Sequence, residues 1–394
     1  MNPIDQLRAA RPAHLGDVPV DERTRAAELS HAMAGPRPAR RRRGIVRPAW
    51  GLSLAGAATA VTAVAVVVSG TGGTTPRAPA DPHPGTPSVA SSVAQGSPGP
   101  QVRLSARDIL LAAAKQADRQ PDEPAAYWHT ASVRRTLFKV EGGGYTVVDQ
   151  ERSEGWTPYA PGGQQWGRSQ PLGVRPAGPD DEAAWRQAGS PEEVGVLVPG
   201  KKVAAKLSTA PGAARTSHAD LVEGDKVFWL GRNVTMKDLR GLPSDPAALR
   251  AWLLRSYEGH GTESSDPQSA DAWLFDVTAG LITDMPVTPQ VRGAAFRMLA
   301  DLDAVEVAED VTDAEGRTGT AVTIDERTKV KATDKDVSGV LRKRLIFDRA
   351  TGGALAYENV VVQPGGLFAD FAPGTVWNSD VVLEAGWTDD KPGS

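Results

Sequence analysis

VLRKRLIFDRATGGALAYENVVV, residues Val340 to Val362, decides the fold class. Side chains of a strand alternate between two faces, and Val340 to Phe347 and Ala354 to Val362 both read as alternating runs. Asp348-Arg349-Ala350-Thr351-Gly352-Gly353 between them has turn composition, so the stretch predicts an antiparallel hairpin. Strand-like runs continue on both sides of it, at Ala304 to Asp310, Gly319 to Asp325 and Val376 to Leu383. Further upstream stand Tyr127 to Val140, Gly144 to Arg152 and a short run near Gln164 to Arg168, with Gly142-Gly143-Gly144 as a turn between the first two. Lys226 to Leu230 reads as one more short strand, whereas residues 170–224 are Pro/Gly-rich and leave helix, strand and loop open.

Helical signals interrupt this pattern. Ser105 is an N-cap candidate for a helix through Ala117, with Ile109, Leu110 and Ala113 on one face. Three more helices are predicted in the middle of the chain. Ser244-Asp245-Pro246 starts one that carries Leu249, Trp252 and Leu253 and stops at Gly259. Ser269 to Ile282 and the stripe Val291, Ala295, Phe296, Leu299 and Leu302 behind Thr288-Pro289 supply the other two. Strands flanking a three-helix insertion make an α+β domain with a mostly antiparallel sheet.

Outside this domain, residues 101–394, the chain is organised around a hydrophobic segment. Arg37, Arg40, Arg41, Arg42, Arg43 and Arg47 lead into the charge-free run Ala49 to Val68. As a helix that run is roughly 30 Å long, the thickness of the hydrocarbon core of a bilayer. We therefore expect a transmembrane helix over residues 48–69. The basic run Arg40 to Arg43 sets its topology, placing the tail 1–47 in the cytoplasm and the C-terminal domain outside. The long leader and the ending Val66-Val67-Val68-Ser69-Gly70 do not look like a cleaved signal peptide. Residues 70–100 are a Pro/Gly/Ser-rich tether. In the tail, Val20 to Ala34 has the pattern of one amphipathic helix, too little to fold without a partner.

Composition narrows the function. The net charge is −4, of which residues 1–47 contribute +5 and the remainder −9. An acidic outer domain excludes nucleic acid as a partner. With no cysteine in the chain, the outer domain has no disulfide framework and relies on its own apolar burial.

Motifs for chemistry are missing. The six histidines are scattered, and no HExxH or other metal-ligand spacing is present. Gly195 to Lys202 matches GxxxxGK, but Lys202 stands where a phosphate loop needs a hydroxyl and Pro199 removes a backbone donor. Neither GxSxG nor SxxK occurs. Asp149/Glu151 and Asp180/Asp181 read as solvated pairs. Trp252 and Trp273 sit at amphipathic helix positions and are expected in the core. Trp156, Trp166 and Trp185 lie in Gly/Pro-rich segments and are the candidates for lining a ligand groove. No catalytic residue, metal or cofactor is expected.

Leu242 to Gly259 (LPSDPAALRAWLLRSYEG), Ala294 to Val322 (AAFRMLADLDAVEVAEDVTDAEGRTGTAV) and Arg344 to Val361 (RLIFDRATGGALAYENVV) are the segments through which the chain resembles a known group. It is similar to a family of single-pass membrane proteins of high-GC Gram-positive bacteria. The last two segments also resemble the lipoprotein-localisation-factor and periplasmic stress-sensor (LolA/RseB-like) superfamily. That resemblance implies a half-open, curved antiparallel barrel with helices over its mouth, which takes acyl chains or unfolded peptide. Carriers of that group are soluble or lipid-anchored, so a spanning helix departs from the pattern, and no site residue carries over.

The resulting expectation is a membrane-anchored, extracytoplasmic, non-enzymatic protein that binds an acyl chain, lipid or peptide. A second reading makes it a transmembrane regulator: the tail binds a sigma factor or similar partner while the outer domain senses envelope stress. A third, an extracytoplasmic hydrolase, requires carboxylates converging across a cleft. An apolar, elongated cavity would favour binding; a polar one with converging carboxylates, catalysis.

Overall fold

The computed structural model describes residues 104–198, 204–230, 232–262, 267–329 and 338–392. The tail with Arg40 to Arg43, the expected transmembrane helix 48–69 and the tether 70–100 lie outside the described residues. No helix among the described residues is long and apolar enough to cross a membrane.

The domain is α+β. Its strands are β1 (Tyr127–Val140), β2 (Thr146–Pro158), β3 (Gln164–Pro176), β4 (Glu193–Leu197), β5 (Ala204–Ser208), β6 (Arg215–Asp220), β7 (Lys226–Trp229), β8 (Arg232–Thr235), β9 (Glu306–Thr312), β10 (Thr318–Lys329), β11 (Ser338–Phe347), β12 (Ala354–Gln363) and β13 (Val376–Thr388). Its helices are α1 (Ala106–Ala117), α2 (Pro179–Gln187), α3 (Met236–Arg240), α4 (Pro246–Leu254), α5 (Ala270–Thr283) and α6 (Pro289–Ala300). Eleven strands form one curved antiparallel sheet in the order β6-β3-β2-β1-β13-β12-β11-β10-β9, with β4 attached to the end of β1 and β5 to β4. β7 and β8 form a separate ribbon.

The hairpin predicted at Val340 to Val362 is β11–β12, turning at Asp348 to Gly353, where the Asp348 N–H donates to Gly353 O at 2.9 Å. Two bulges interrupt the ladders of β13: Leu383 is the extra residue opposite Ala131 and Ser132 of β1, and Trp377 the extra residue opposite Asn359 and Val360 of β12. An extra residue in one strand bends it and increases its twist, which lets so wide a sheet curve.

Helices α1, α4, α5 and α6 cover one face of the sheet. Ser105 caps α1 in a reciprocal box with Asp108, and Ile109, Leu110, Ala113 and Ala117 are buried. Small residues let α1 lie close to α6: a Cβ on Gly293 would stand 3.0 Å from Ala114 O. Arg297 of α6 and Asp118 at the end of α1 form an ion pair. The main core joins these helices to Val322, Ile324, Leu345, Phe347, Tyr357 and Trp128 of the sheet. A second cluster, Tyr145, Val147, Val174, Val194 and Val196, brings the β4–β5 ribbon and α2 onto the far half of the sheet.

Several boundaries differ from the sequence reading. α4 ends at Leu254, before Gly259, because Gly259 (φ 85°) sits in a later turn. The ambiguous stretch 170–224 completes β3 and holds α2, β4, β5 and β6. The GxxxxGK match begins inside β4 and is followed by β5, so it lacks the helix a phosphate loop requires.

Candidate functional site

Two rows of directly opposed residues cross the helix-side face. One runs Val322, Leu345, Tyr357, Asp380, Arg134 and Glu151 over β10, β11, β12, β13, β1 and β2. The next runs Ile324, Lys343, Asn359, Asn378, Thr136, Asp149 and Val174, ending on β3. Both rows start in the main core and turn polar midway; the second ends in the smaller core. The middle of the sheet therefore forms a polar trough between two apolar covers.

On the main-core side the trough begins at a buried ion cluster. The Lys343 ammonium donates to Asp276 of α5 and lies 2.6 Å from Glu326 Oε2. Asp276 also accepts from the Tyr357 hydroxyl at 2.7 Å and from Gln268 Nε2 at 2.6 Å. Desolvation pulls the proton affinity of Lys343 down, but Asp276 and Glu326 outweigh it and the net shift is upward. Desolvation raises Glu326, against the pull of Lys343. Burial next to Asp276 holds the Tyr357 phenol well above its usual range. With acceptors on both sides, Lys343 stays charged and ties α5 to the sheet.

The open part of the trough is acidic. Arg134 Nε donates to Asp380 Oδ1 at 3.1 Å, their side chains 38 % and 18 % exposed, and the Asp380 charge raises the proton affinity of Arg134. Asn359 Nδ2 donates to Asn378 Oδ1 at 2.8 Å. Burial and the charge of Glu151 together raise Asp149. At the C-terminal end of α5, desolvation lifts Asp284 to about 8, and Asp380 adds to the effect. The Asp284 carbonyl accepts from Trp128 Nε1 at 2.6 Å, which fixes the helix end over the sheet. Asp284 as a residue is half-buried, keeping some solvent-accessible surface.

The sequence candidates fall elsewhere. Trp156 and Trp166 are directly opposed on β2 and β3, but on the face away from the helices. His129 stacks on Trp156 at 4.5 Å between ring centroids, and His218 tilts against Trp166 at 4.7 Å. Trp185 of α2 packs in the smaller core, its Nε1 donating to Pro191 O at 3.4 Å. The three tryptophans do not share one groove. Trp273 is buried as expected, while Trp252 is half-buried with the guanidinium carbon of Arg232 4.5 Å from its ring centroid.

The carboxylate pairs need correcting. Asp149 and Glu151 are not freely solvated: period-two alternation puts both on the covered face of β2, and Asp149 is partly desolvated there. Asp181 accepts the Thr146 N–H at 2.7 Å. Asp284 and Asp380 escaped the sequence reading because they are far apart in the sequence and the charge of Asp380 reaches Asp284 only in the folded chain. Among the described residues no group of His, Asp and Glu forms a metal site. Comparison with protein-family models, curated proteins and solved structures finds no match.

Proposed function

We propose that the outer domain is a non-enzymatic binding domain whose trough takes an extended peptide, in a protein anchored by the segment 48–69. The observation that carries this reading is the lining of the trough. Arg134, Asp380, Asn378, Thr136, Asp149 and Glu151 offer donors and acceptors between two apolar covers. Of the ligands the sequence suggests, an acyl chain fits such a lining worst, since covering Asp149, Glu151 and Arg134 with hydrocarbon would desolvate them without new partners. A peptide with basic side chains satisfies both the polar floor and the excess of carboxylates. The half-open barrel with helices over its mouth that the resemblance to the LolA/RseB-like superfamily implies is consistent with this use. Isothermal titration with extended peptides, lysine-containing and lysine-free, against fatty-acyl probes tests the reading. Tight acyl binding with no peptide binding would sink it.

A hydrolase is the second reading: burial lifts the Asp284 carboxyl to about 8, and the charge of Asp380 adds to that shift. An acid and a neighbouring carboxylate in unlike environments are what general acid–base hydrolysis needs. Asp380 is already engaged by Arg134, however, which leaves it poorly placed to activate water. Hydrolysis of a bound peptide or glycan that is abolished in Asp284→Asn would establish this second reading in place of the first.

A further inference from the structure

Two arginines beyond the trough are short of acceptors. Arg292, in the first turn of α6, has its guanidinium carbon 5.9 Å from the Trp128 ring centroid and donates to Met285 O at 3.3 Å. Its Nε–H is buried and has no acceptor. Among the described residues no carboxylate pairs with Arg292; the field of Asp122 is the acidic influence that reaches it. Arg240 of α3 stands over Trp387, 5.3 Å from the ring centroid, and donates to Asp122 Oδ2 at 2.6 Å. Its second terminal nitrogen, NH1, is likewise buried without an acceptor.

Trp128 and Trp387 unite these groups. They are directly opposed on β1 and β13, with ring centroids 5.2 Å apart and planes at 73°. Tyr159 also meets Trp387 edge-on, with ring centroids 5.5 Å apart. The local balance is two guanidiniums to one carboxylate, and Arg292 also lies at the positive end of the α6 dipole. Cation–π contact orients a guanidinium but does not neutralise it. A deep-set cation without a counter-charge is costly, and an N–H lacking an acceptor adds to that cost. Burial accordingly draws the proton affinity of Arg292 down to about 10. The site reaches solvent beside Asp122, where the Arg240 and Asp122 side chains are 15 % and 29 % exposed.

We propose that Arg292 and Arg240, walled by Trp128 and Trp387, bind a phosphate-type oxyanion, either free or as the headgroup of a lipid. A tetrahedral anion accepts from two planar guanidinium forks at once and supplies the missing charge. Asp122 then serves as the gate, holding Arg240 until the stronger acceptor arrives. This site is independent of the peptide reading of the trough.

The test uses the full chain in neutral detergent, titrated calorimetrically with inorganic phosphate and separately with vesicles of phosphatidic acid or phosphatidylcholine. Arg292→Met and Arg240→Met are each expected to weaken phosphate or phosphatidic acid binding by about tenfold or more, a loss of one hydrogen-bonded charge partner. Arg349→Met, whose residue pairs with Glu309 elsewhere, serves as the control and should bind like the parent. Arg40 to Arg43 are present in every variant, so only the difference between variants reports on the site. Binding of both probes assigns the anion itself; binding of phosphatidic acid vesicles alone assigns the lipid headgroup. Should Arg292→Met fail to fold, the partly exposed Arg240 carries the comparison. Absence of saturable binding to either probe, or equal affinity of parent and both site variants, overturns the proposal.

Discussion

Tyr357 of β12 donates its hydroxyl to Asp276 of α5 across 2.7 Å, and through this bond the helix layer is keyed to the sheet at a polar point inside an otherwise apolar core. The same carboxylate closes on Lys343, which Glu326 holds from its other side.

Removing the cation from this cluster should be more harmful than shortening an apolar neighbour. In Lys343→Met, Asp276 and Glu326 remain buried without a counter-charge, a loss of about 3–5 kcal/mol. Urea unfolding should show a lower midpoint with an unchanged slope. A second change, Asp276→Asn, should recover part of the loss, which distinguishes uncompensated charge from poor packing.

Asp284 should make the domain less stable as the solution becomes alkaline. Its folded pKa of about 8 lies above the ordinary aspartate value of 3.8, so between those values the folded state holds a proton that the unfolded chain has released. Stability from this group is complete below about pH 4 and declines as pH rises towards 8. Each unit of difference corresponds to about 1.4 kcal/mol at most, and the remaining solvent access of Asp284 reduces the sum. Asp284→Asn should flatten the thermal midpoint between pH 5 and about pH 8. A midpoint that falls equally in parent and variant would assign the slope to other groups.

Arg317 should be a strong point of the outer face. It donates to Asp313, to Val382 O at 2.9 Å and to Leu355 O at 2.7 Å, pinning the β9–β10 turn across β12 and β13. The Asp313 side chain is fully buried, so Arg317→Met should cost about 3–5 kcal/mol. Gly319→Ala should also destabilise, since a Cβ there would stand 2.8 Å from Phe347 O. Faster hydrogen exchange confined to β9 and the start of β10 is the expected signature.

Peptide binding in the trough should depend on its carboxylates. Asp149→Asn with Glu151→Gln should weaken a lysine-containing peptide by about tenfold while leaving the fold intact, and the parent affinity should fall with added salt. Equal affinity for lysine-containing and lysine-free peptides would remove the electrostatic part of the reading.

Much of the architecture is legible in the sequence because its signals are local. Ser105 with Asp108, Asp245 before Pro246 and Thr288 before Pro289 each cap a helix where the spacing predicts one. α3 escaped that reading, although Thr235 and Asp238 form a capping box of the same kind, because five residues carry too little periodicity. Between residues 170 and 224, Pro and Gly mask three short strands whose pairing comes from distant partners, as with Trp166 and His218. The trough is the least legible part. Asp149 and Glu151 look like any exposed pair until alternation on β2 sets them opposite Thr136 and Arg134. Indoles drew attention as groove candidates by composition alone, whereas face assignment requires the register.

β13, the last of the described strands, lies in the middle of the sheet, paired with β1 on one side and β12 on the other. Its position imposes an order on biogenesis. Strands β1 to β3 cannot join β9 to β12 until β13 has left the ribosome, so until then the two halves wait as separate hairpin assemblies with β1 and β12 as raw edges. A chain stopped short of Val376 would lose the seam of the sheet and, with it, the floor of the trough.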